Sequence, residues 1–134
     1  MKFGLFGGAR ARGGPAGDSY AYHDFINYVV EAERLGFSSV FLVEHHFTGF
    51  GQVSASMSVL AYLAARTERI RLGTAVVVLP WHNPILVAEQ AATLDLLSNG
   101  RLDFGVGRGT AATSSRGSAF LPRRRPSGST RRSR

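Results

Sequence analysis

The sequence predicts an α/β fold built from about four strand–helix units and followed by a basic tail. Four short apolar runs, at residues 3–6, 39–43, 70–79 and 102–106, are the predicted strands. Each run is apolar almost throughout, which is typical of parallel strands buried on both faces. The runs begin 31 to 36 residues apart, and a parallel strand–helix–strand unit needs about 30 residues or more. The spacing therefore predicts a parallel sheet with a helix in each interval.

The first interval contains a helix predicted over residues 19–35. Asp18 or Ser19 offers a side-chain oxygen that could cap its N-terminus. Gly36 follows it, at the position where helices commonly end in a left-handed residue. The apolar face of this helix is expected to carry Tyr22, Phe25, Ile26 and Val29.

The second and third intervals contain helical patterns of the same kind. The second helix is predicted over residues 55–66, with Ser54 as its cap. The third is predicted to begin with Asn83 as N-cap and Pro84 as first helical residue, and to end just before Gly100. The side chains expected to face the sheet are Met57, Leu60, Ala61 and Ala64 in the second helix, and Val87, Ala91 and Leu94 in the third.

Two architectures use this alternation of parallel strands and helices, the doubly wound sheet and the (β/α)8 barrel. Four strands do not decide between them. Eight units of this length would need about 260 residues, close to the usual size of a barrel. In a barrel, this chain would therefore supply the first half. Its outer strands would then have exposed edges, which favours self-association into a homo-oligomer.

The formal charge of +7 is confined to the C-terminal segment. Residues 1–109 hold nine Lys or Arg and nine Asp or Glu, whereas residues 110–134 hold seven arginines and no acidic residue. The same segment has few large apolar side chains, so it cannot offset the entropy of ordering and is predicted to be disordered. The chain is thus expected to consist of a neutral domain over 1–109 and an Arg/Ser-rich, low-complexity tail over 110–134.

Composition excludes several classes of protein. Cysteine is absent, which excludes a disulfide scaffold and a cysteine-based zinc site and favours a cytoplasmic location. No apolar run reaches the roughly 18 residues of a membrane span, and the N-terminal apolar stretch is too short for a signal peptide. We therefore expect no membrane partner.

Polar residues collect where the predicted strands end, the place where both architectures bind ligands. The segment 44–47 (EHHF) follows the second strand, 81–83 (WHN) the third and 107–109 (GRG) the fourth. An imidazole titrating near neutral pH suits a general base. Three histidines at these ends, His45, His46 and His82, are conceivable metal ligands. Their spacing matches no known ligand motif, so no metal site is predicted.

Several motifs in order resemble those of the bacterial luciferase-like, flavin-dependent monooxygenases. The resemblance covers residues 1–109. It implies a TIM barrel that binds reduced FMN or, in other branches of the family, the deazaflavin F420. It also implies a small organic substrate, O2 as co-substrate, and a flavin reductase as supplier of reduced flavin. The motifs that carry it are EHHFTGFG at 44–51, RIRLGTAVVVLP at 69–80, NPI at 83–85, AEQAATLD at 88–95, LSNGRL at 97–102 and FGVGRG at 104–109.

The same resemblance implies roles for individual residues. His45 matches the active-site base near the flavin, and His46 and Glu44 support the geometry of its loop. The bond between Thr74 and Ala75 matches a non-prolyl cis peptide beneath the flavin ring. The implied catalytic residues are thus His45 and His46, and the implied cofactor-binding residues are Phe6 and Val43 on the pocket floor, Glu44, Thr74, Ala75 and the cofactor-side Arg108.

The sequence departs from the family pattern immediately after Gly109. The family continues there with further strand–helix units, whereas the composition of 110–134 is that of a GC-rich gene read out of frame. We therefore expect a truncated or frameshifted product whose flavin-dependent monooxygenase function is incomplete. Two alternatives stay open. One is an F420-dependent dehydrogenase of the same family, and the other is a non-catalytic fragment whose basic tail binds nucleic acid. The tail lacks the interleaved aromatic residues of a base-stacking surface, which makes nucleic acid the less favoured partner.

Overall fold

The computed structural model of the chain describes residues 1–10, 13–47, 51 and 53–109. The predicted disordered tail, 110–134, lies outside the described residues. The elements are, in chain order, β1 (Gly4–Gly7), α1 (Gly14–Arg34), β2 (Ser39–Leu42), α2 (Ser56–Arg66), β3 (Arg71–Thr74), β4 (Val77–Val78), a 3-10 turn (Leu79–Trp81), α3 (Pro84–Leu97), β5 (Leu102–Asp103) and β6 (Val106–Gly107).

Four strands form one parallel sheet in the order β1-β2-β3-β5. The order follows the chain without the reversal that defines a doubly wound sheet. Each strand of this sheet pairs with the strand of the neighbouring strand–helix unit, as the strands of a (β/α)8 barrel do. Of the two architectures that the sequence left open, the sheet order therefore identifies the barrel type. In the described part of the chain, no helix is long and apolar enough to cross a membrane.

Two of the predicted strands each divide into two shorter ones. The run at 70–79 becomes β3 and β4, and β4 pairs with β6 in a separate two-stranded parallel sheet. Between β3 and β4 the chain turns through a cis peptide bond that joins Ala75 to Val76. The bond predicted at Thr74–Ala75 was therefore placed one residue too early. Regular strand pairing continues through Thr74, and the Ala75 N–H still donates to the Leu42 carbonyl at 2.7 Å.

The start of the first helix was also predicted wrongly. α1 begins at Gly14, and Gly13 occupies its N-cap position without a side-chain hydrogen bond. Asp18 and Ser19 lie inside the helix, so neither is the cap. A proline in the first turn explains the early start, because proline lacks only an N–H that the first turn leaves unpaired. The predicted end is confirmed by Gly36, which has a φ of 91°.

The predicted N-cap was wrong for α2 and correct for α3. Ala55, not Ser54, occupies the N-cap position of α2, and no side-chain hydrogen bond caps this helix. Asn83 caps α3 as predicted. Its Oδ1 accepts from the backbone N–H groups of Ile85 at 2.9 Å and Leu86 at 3.4 Å. That cap fixes the point at which the chain enters α3 after the 3-10 turn.

The core lies between the helices and one face of the sheet. Val40 and Leu42 of β2 and Leu72 of β3 have no exposed surface, and they pack against α1 and α2. Burying a side chain of this size contributes about 1.5–3 kcal/mol. Most of the predicted helix faces are confirmed. Ile26, Val29, Leu60, Ala64, Val87 and Leu94 are buried, whereas Tyr22, Phe25, Met57, Ala61 and Ala91 are partly exposed.

A buried arginine joins three elements at the amino end of the sheet. The guanidinium of Arg101 donates to the carbonyls of Ser98, Ile70, Ala64 and Thr67 and to the Thr67 hydroxyl, at 2.7 to 3.1 Å. All of these acceptors are neutral. Arg101 therefore connects the end of α2, the start of β3 and the loop after α3, and it has a structural role.

Candidate functional site

A cleft of about 410 Å³ opens at the carboxyl ends of the strands. Its walls come from the ends of β1 and β2, from β4 with its 3-10 turn, and from the segment after β6. Parallel strands end at the same edge of a sheet, so the residues that follow them converge. The lining residues are Phe6, Val43, Glu44, His45, His46, Ala75, Val76, Val78, Trp81, Arg108 and Gly109.

Seven of the eight predicted site residues line this cleft, and Thr74 is the exception. The Thr74 side chain is buried, with 1% of the residue exposed. Its hydroxyl donates to the Gly105 carbonyl at 2.8 Å and accepts from the Gly105 N–H at 2.9 Å. Thr74 therefore joins the end of β3 to the segment between β5 and β6. The roles that the resemblance implies for the seven lining residues stay predictions.

Glu44 is the most enclosed polar group of the cleft wall, with 1% of its side chain exposed. Its Oε1 accepts from Nε2 of His46 and from Nε2 of His82, each at 2.8 Å. The backbone N–H of Val78 approaches the same oxygen at 3.3 Å, and the Ser56 hydroxyl donates to Oε2 at 3.3 Å. The carboxylate is thus satisfied by groups from four parts of the chain.

These partners decide the ionisation of Glu44. Burial alone raises the pKa of its carboxyl, since a charge is poorly solvated inside the protein. The hydrogen bonds from His46 and His82, the charge of His82 and the Val78 N–H outweigh burial and hold the pKa below its ordinary value. Glu44 is therefore a carboxylate at neutral pH, held as an acceptor for two imidazoles.

His45 differs from its neighbour His46. Its backbone N–H donates to the Val53 carbonyl at 2.9 Å, which fixes the chain as it leaves β2. Within the described ranges, its imidazole has no side-chain hydrogen bond. His45 lines the cleft, whereas Nε2 of His46 is engaged by Glu44.

An aromatic group forms one side of the cleft mouth. The rings of His46 and Trp81 are stacked, with centroids 5.1 Å apart and planes at 28°. Phe47 lies beside both, with ring centroids 6.2 Å from Trp81 and 6.5 Å from His46. Phe47 is 74% exposed. Phe47 is tilted against both of the other rings, so the three rings form an aromatic cluster rather than one flat stack.

The predicted site set omitted three residues that contribute directly to this arrangement. Trp81 and Ser56 were not among the candidates, and His82 was considered only as a conceivable metal ligand, although the sequence places Trp81 and His82 at a strand end. That position was the available signal for both. Ser56 carried no signal, because it begins α2 twelve residues after its partner Glu44. Of the three conceivable metal-ligating histidines, the structure brings together His46 and His82, with Glu44, and leaves His45 outside the group.

The fold is of the α/β-barrel type, with a cleft at the carboxyl ends of its strands. The family model described as luciferase-like monooxygenase matches residues 1–130. The chain belongs to this family, as its motifs predicted. The matched range also includes residues 110–130, which follow the last recognisable motif and lie outside the described residues.

Individual relatives agree with the family. Limonene 1,2-monooxygenase of Rhodococcus erythropolis is 44% identical over 94 residues, which cover 70% of this chain and 24% of that protein. The oxygenase component of the flavin-dependent trigonelline monooxygenase of Acinetobacter baylyi is 36% identical over 109 residues, or 81% of this chain and 30% of that protein. The aligned part therefore spans under a third of either relative.

Solved structures give the same result for the fold. Monooxygenase RslO1 from Streptomyces bottropensis superposes with a TM-score of 0.76 at 35% identity, over 90% of this chain and 36% of that one. The coenzyme F420-dependent tetrahydromethanopterin reductase from Methanopyrus kandleri superposes with a TM-score of 0.65 at 25% identity, over 91% and 30% of the two chains. The fold is thus common to oxygenases and to an F420-dependent reductase.

Proposed function

We propose that the chain is part of a flavin-dependent monooxygenase, with its flavin against the cleft at the carboxyl ends of the strands. The observation that carries this proposal is the convergence of seven implied site residues on one cleft. They come from four separate stretches of sequence. Family membership and the flavin-dependent relative support the same function.

The residues of the cleft fit a flavin. Phe6 is 73% exposed, which leaves an apolar surface that a planar ring system would cover. Val43, Ala75 and Val76 continue this surface. Arg108, the one Lys or Arg among the described lining residues, suits an electron-rich edge or a phosphate of the cofactor.

The flavin, when bound in reduced form, supplies the redox chemistry with O2. In this proposal the chain's own residues do the remaining work. The apolar floor excludes water, and Arg108 orients the cofactor through its charge. His45 holds or removes a proton at its free imidazole nitrogen, as a general base must. Glu44 keeps His46 in place against Trp81, so the wall beside His45 is fixed.

FMN is the favoured cofactor and F420 the alternative. FMN is favoured because the flavin-dependent trigonelline monooxygenase is 36% identical over 81% of this chain. F420 is supported only by the more distant reductase, at 25% identity. The relative is named an oxygenase component, so we propose that reduced flavin reaches this protein from a separate flavin reductase. The substrate is proposed to be a small organic molecule.

An anaerobic titration of the purified chain with reduced FMN, and in parallel with reduced F420, tests the proposal. We expect saturable FMN binding, with the dissociation constant raised about 10-fold or more in Arg108→Ala, because a hydrogen bond to a charged group contributes about 1.5–3 kcal/mol. The matched control is Arg69→Ala. Arg69 is an exposed arginine just before β3, at the opposite end of the sheet.

Three outcomes would decide against the proposal. If Arg69→Ala weakens FMN binding as much as Arg108→Ala does, the protein attracts the phosphate of FMN nonspecifically. Tight binding of F420 without binding of FMN would favour the dehydrogenase. The absence of both, in a chain shown to be folded by circular dichroism, would remove the cleft as a flavin site.

A further inference from the structure

Three potential metal-ligating atoms meet at the wall of the cleft. They are Oε1 of Glu44 and the Nε2 atoms of His46 and His82, and all three lie within 4.8 Å of one another. Both nitrogens are 2.8 Å from the same carboxylate oxygen. Side-chain exposure is 1% for Glu44, 15% for His46 and 25% for His82. The group is therefore partly enclosed yet reachable from the cleft.

We propose that Glu44, His46 and His82 form a binding site for one divalent transition-metal ion, with Zn²⁺ as the representative ion. Two imidazoles and one carboxylate are a donor set that zinc accepts, usually with a fourth ligand from water or substrate. The same set suits Co²⁺ and Ni²⁺, whereas Mg²⁺ and Ca²⁺ prefer oxygen ligands. The composition of the group thus selects the class of ion.

The surrounding contacts hold the three ligands in position. Glu44 follows β2, and His82 follows the 3-10 turn, 38 residues further along the chain. The Ser56 hydroxyl donates to the second carboxylate oxygen, and the Trp81 ring stacks on His46. Such outer contacts orient metal ligands in known sites. A tetrahedral zinc ion with bond lengths of about 2.0–2.2 Å holds its ligand atoms roughly 3.4 Å apart, so each nitrogen would move some tenths of an ångström away from Oε1.

Metal binding requires each Nε2 to present its lone pair. A proton now shared with Glu44 must move to Nδ1 of the same ring, or leave to solvent if the ring is doubly protonated. The ion then replaces two hydrogen bonds by three coordinate bonds and neutralises the enclosed carboxylate.

The proposal depends only on the geometry of these three residues. It does not require that a flavin binds, so the two proposals can fail separately. Its natural controls are the other histidines of the chain, which has four in total. His23 lies in α1, and His45 lies in the cleft outside the group.

Calorimetric titration of the full chain, without a histidine tag, with ZnCl2 at neutral pH is the direct test. We expect one ion per chain, and at least a 10-fold loss of affinity in His82→Ala and in Glu44→Gln. His23→Ala and His45→Ala should bind as the unaltered chain does. Zinc binding that is absent, or that persists undiminished in folded His82→Ala, would overturn the proposal, as would dependence on His45 in place of His82.

A second measurement on the unaltered chain covers the case in which a variant fails to fold. Paramagnetic Co²⁺ should broaden or shift the imidazole NMR signals of His46 and His82 strongly and leave those of His23 unchanged. Equal effects on all four histidines would indicate nonspecific binding and contradict the site. A visible absorption band typical of four-coordinate Co²⁺, removed by added Zn²⁺, would support it.

Discussion

The carboxylate of Glu33, near the end of α1, accepts the backbone N–H of Ile70 at 2.7 Å across 37 residues of sequence. The same carboxylate accepts the N–H groups of Arg69 at 2.7 Å and Glu68 at 3.1 Å. One side chain thus satisfies three successive backbone donors at the entry to β3. The contact fixes where the strand that leads to the cleft begins.

We expect Glu33→Gln to lower the free energy of unfolding by about 1.5–3 kcal/mol, the range for hydrogen bonds to a charged group. Urea denaturation at neutral pH measures this loss. Glu89→Gln, on the exposed surface of α3, is the control and should change stability by less than about 0.5 kcal/mol.

The contribution of Glu33 should also depend on pH in a defined direction. Burial alone raises the pKa of the Glu33 carboxyl, but the hydrogen bonds from Ile70, Arg69 and Glu68 prevail and hold the pKa below its ordinary value. A carboxyl whose pKa is lowered on folding stabilises the protein above that value and loses its contribution as the pH falls. The difference between the unaltered chain and Glu33→Gln should therefore shrink in acid. A constant difference down to strongly acidic pH would show that charge is not involved.

Arg101→Lys should destabilise the fold despite keeping the charge. A lysine has three donors on one atom, whereas the guanidinium of Arg101 reaches acceptors on both α2 and β3. We expect a loss of about 2–4 kcal/mol, because several enclosed carbonyls and a buried charge lose partners. Thermal unfolding measures it, with Arg66→Lys on the exposed side of α2 as the matched control. Equal stability of the two variants would contradict the structural role of Arg101.

Gly105→Ala should disturb both the fold and the cleft. A Cβ at this position would collide with the backbone carbonyl of Thr74, which cannot move without breaking the pairing of β3. We expect a loss of at least about 1–3 kcal/mol, as for overpacking in a core. Gly51→Ala is the control, since among the described residues its Cβ would meet nothing closer than 3.5 Å. Urea denaturation of both variants should separate them, and similar midpoints would refute the close approach.

Binding at the cleft should be visible in the fluorescence of Trp81, the single tryptophan of the chain. Because Trp81 lines the cleft, a flavin bound there lies close enough to quench its emission. We expect quenching that saturates with the same dissociation constant as the flavin signal. In Arg108→Ala the quenching curve should shift to higher flavin concentration. A flavin signal that saturates without any change in Trp81 emission would place the ligand elsewhere.

The sequence predicted the elements of this fold better than their junctions. Apolar runs and the Asn83 cap located the strands and α3, because burial and capping depend on local residue types. The division of the run at 70–79 was not predictable in this way. It depends on Gly105, which lies 31 residues from Thr74 and fits against it only in the folded chain.

For the candidate site, too, the sequence predicted features that depend on short motifs and did not predict contacts between distant residues. Family motifs named seven residues that line the cleft. Neither motif nor periodicity indicated that the Glu44 carboxylate accepts hydrogen bonds from both His46 and His82. The second of these contacts joins residues that are 38 positions apart in the sequence. Ser56 was missed for the same reason, as its hydroxyl reaches Glu44 only after α2 has packed against the sheet.

The strands β4 and β6 pair only with each other among the described strands, and they carry Val78 and the segment that leads to Arg108. The main sheet, by contrast, holds the helices through Leu42 and Leu72. The two sheets therefore have different roles. The main sheet packs against the helices, and the small layer formed by β4 and β6 shapes the cleft. Substitutions in the small layer, where Val77 is fully buried and Val78 nearly so, should reshape the cleft while leaving the pairing of the main sheet intact, which makes this layer a starting point for altering what the cleft accepts.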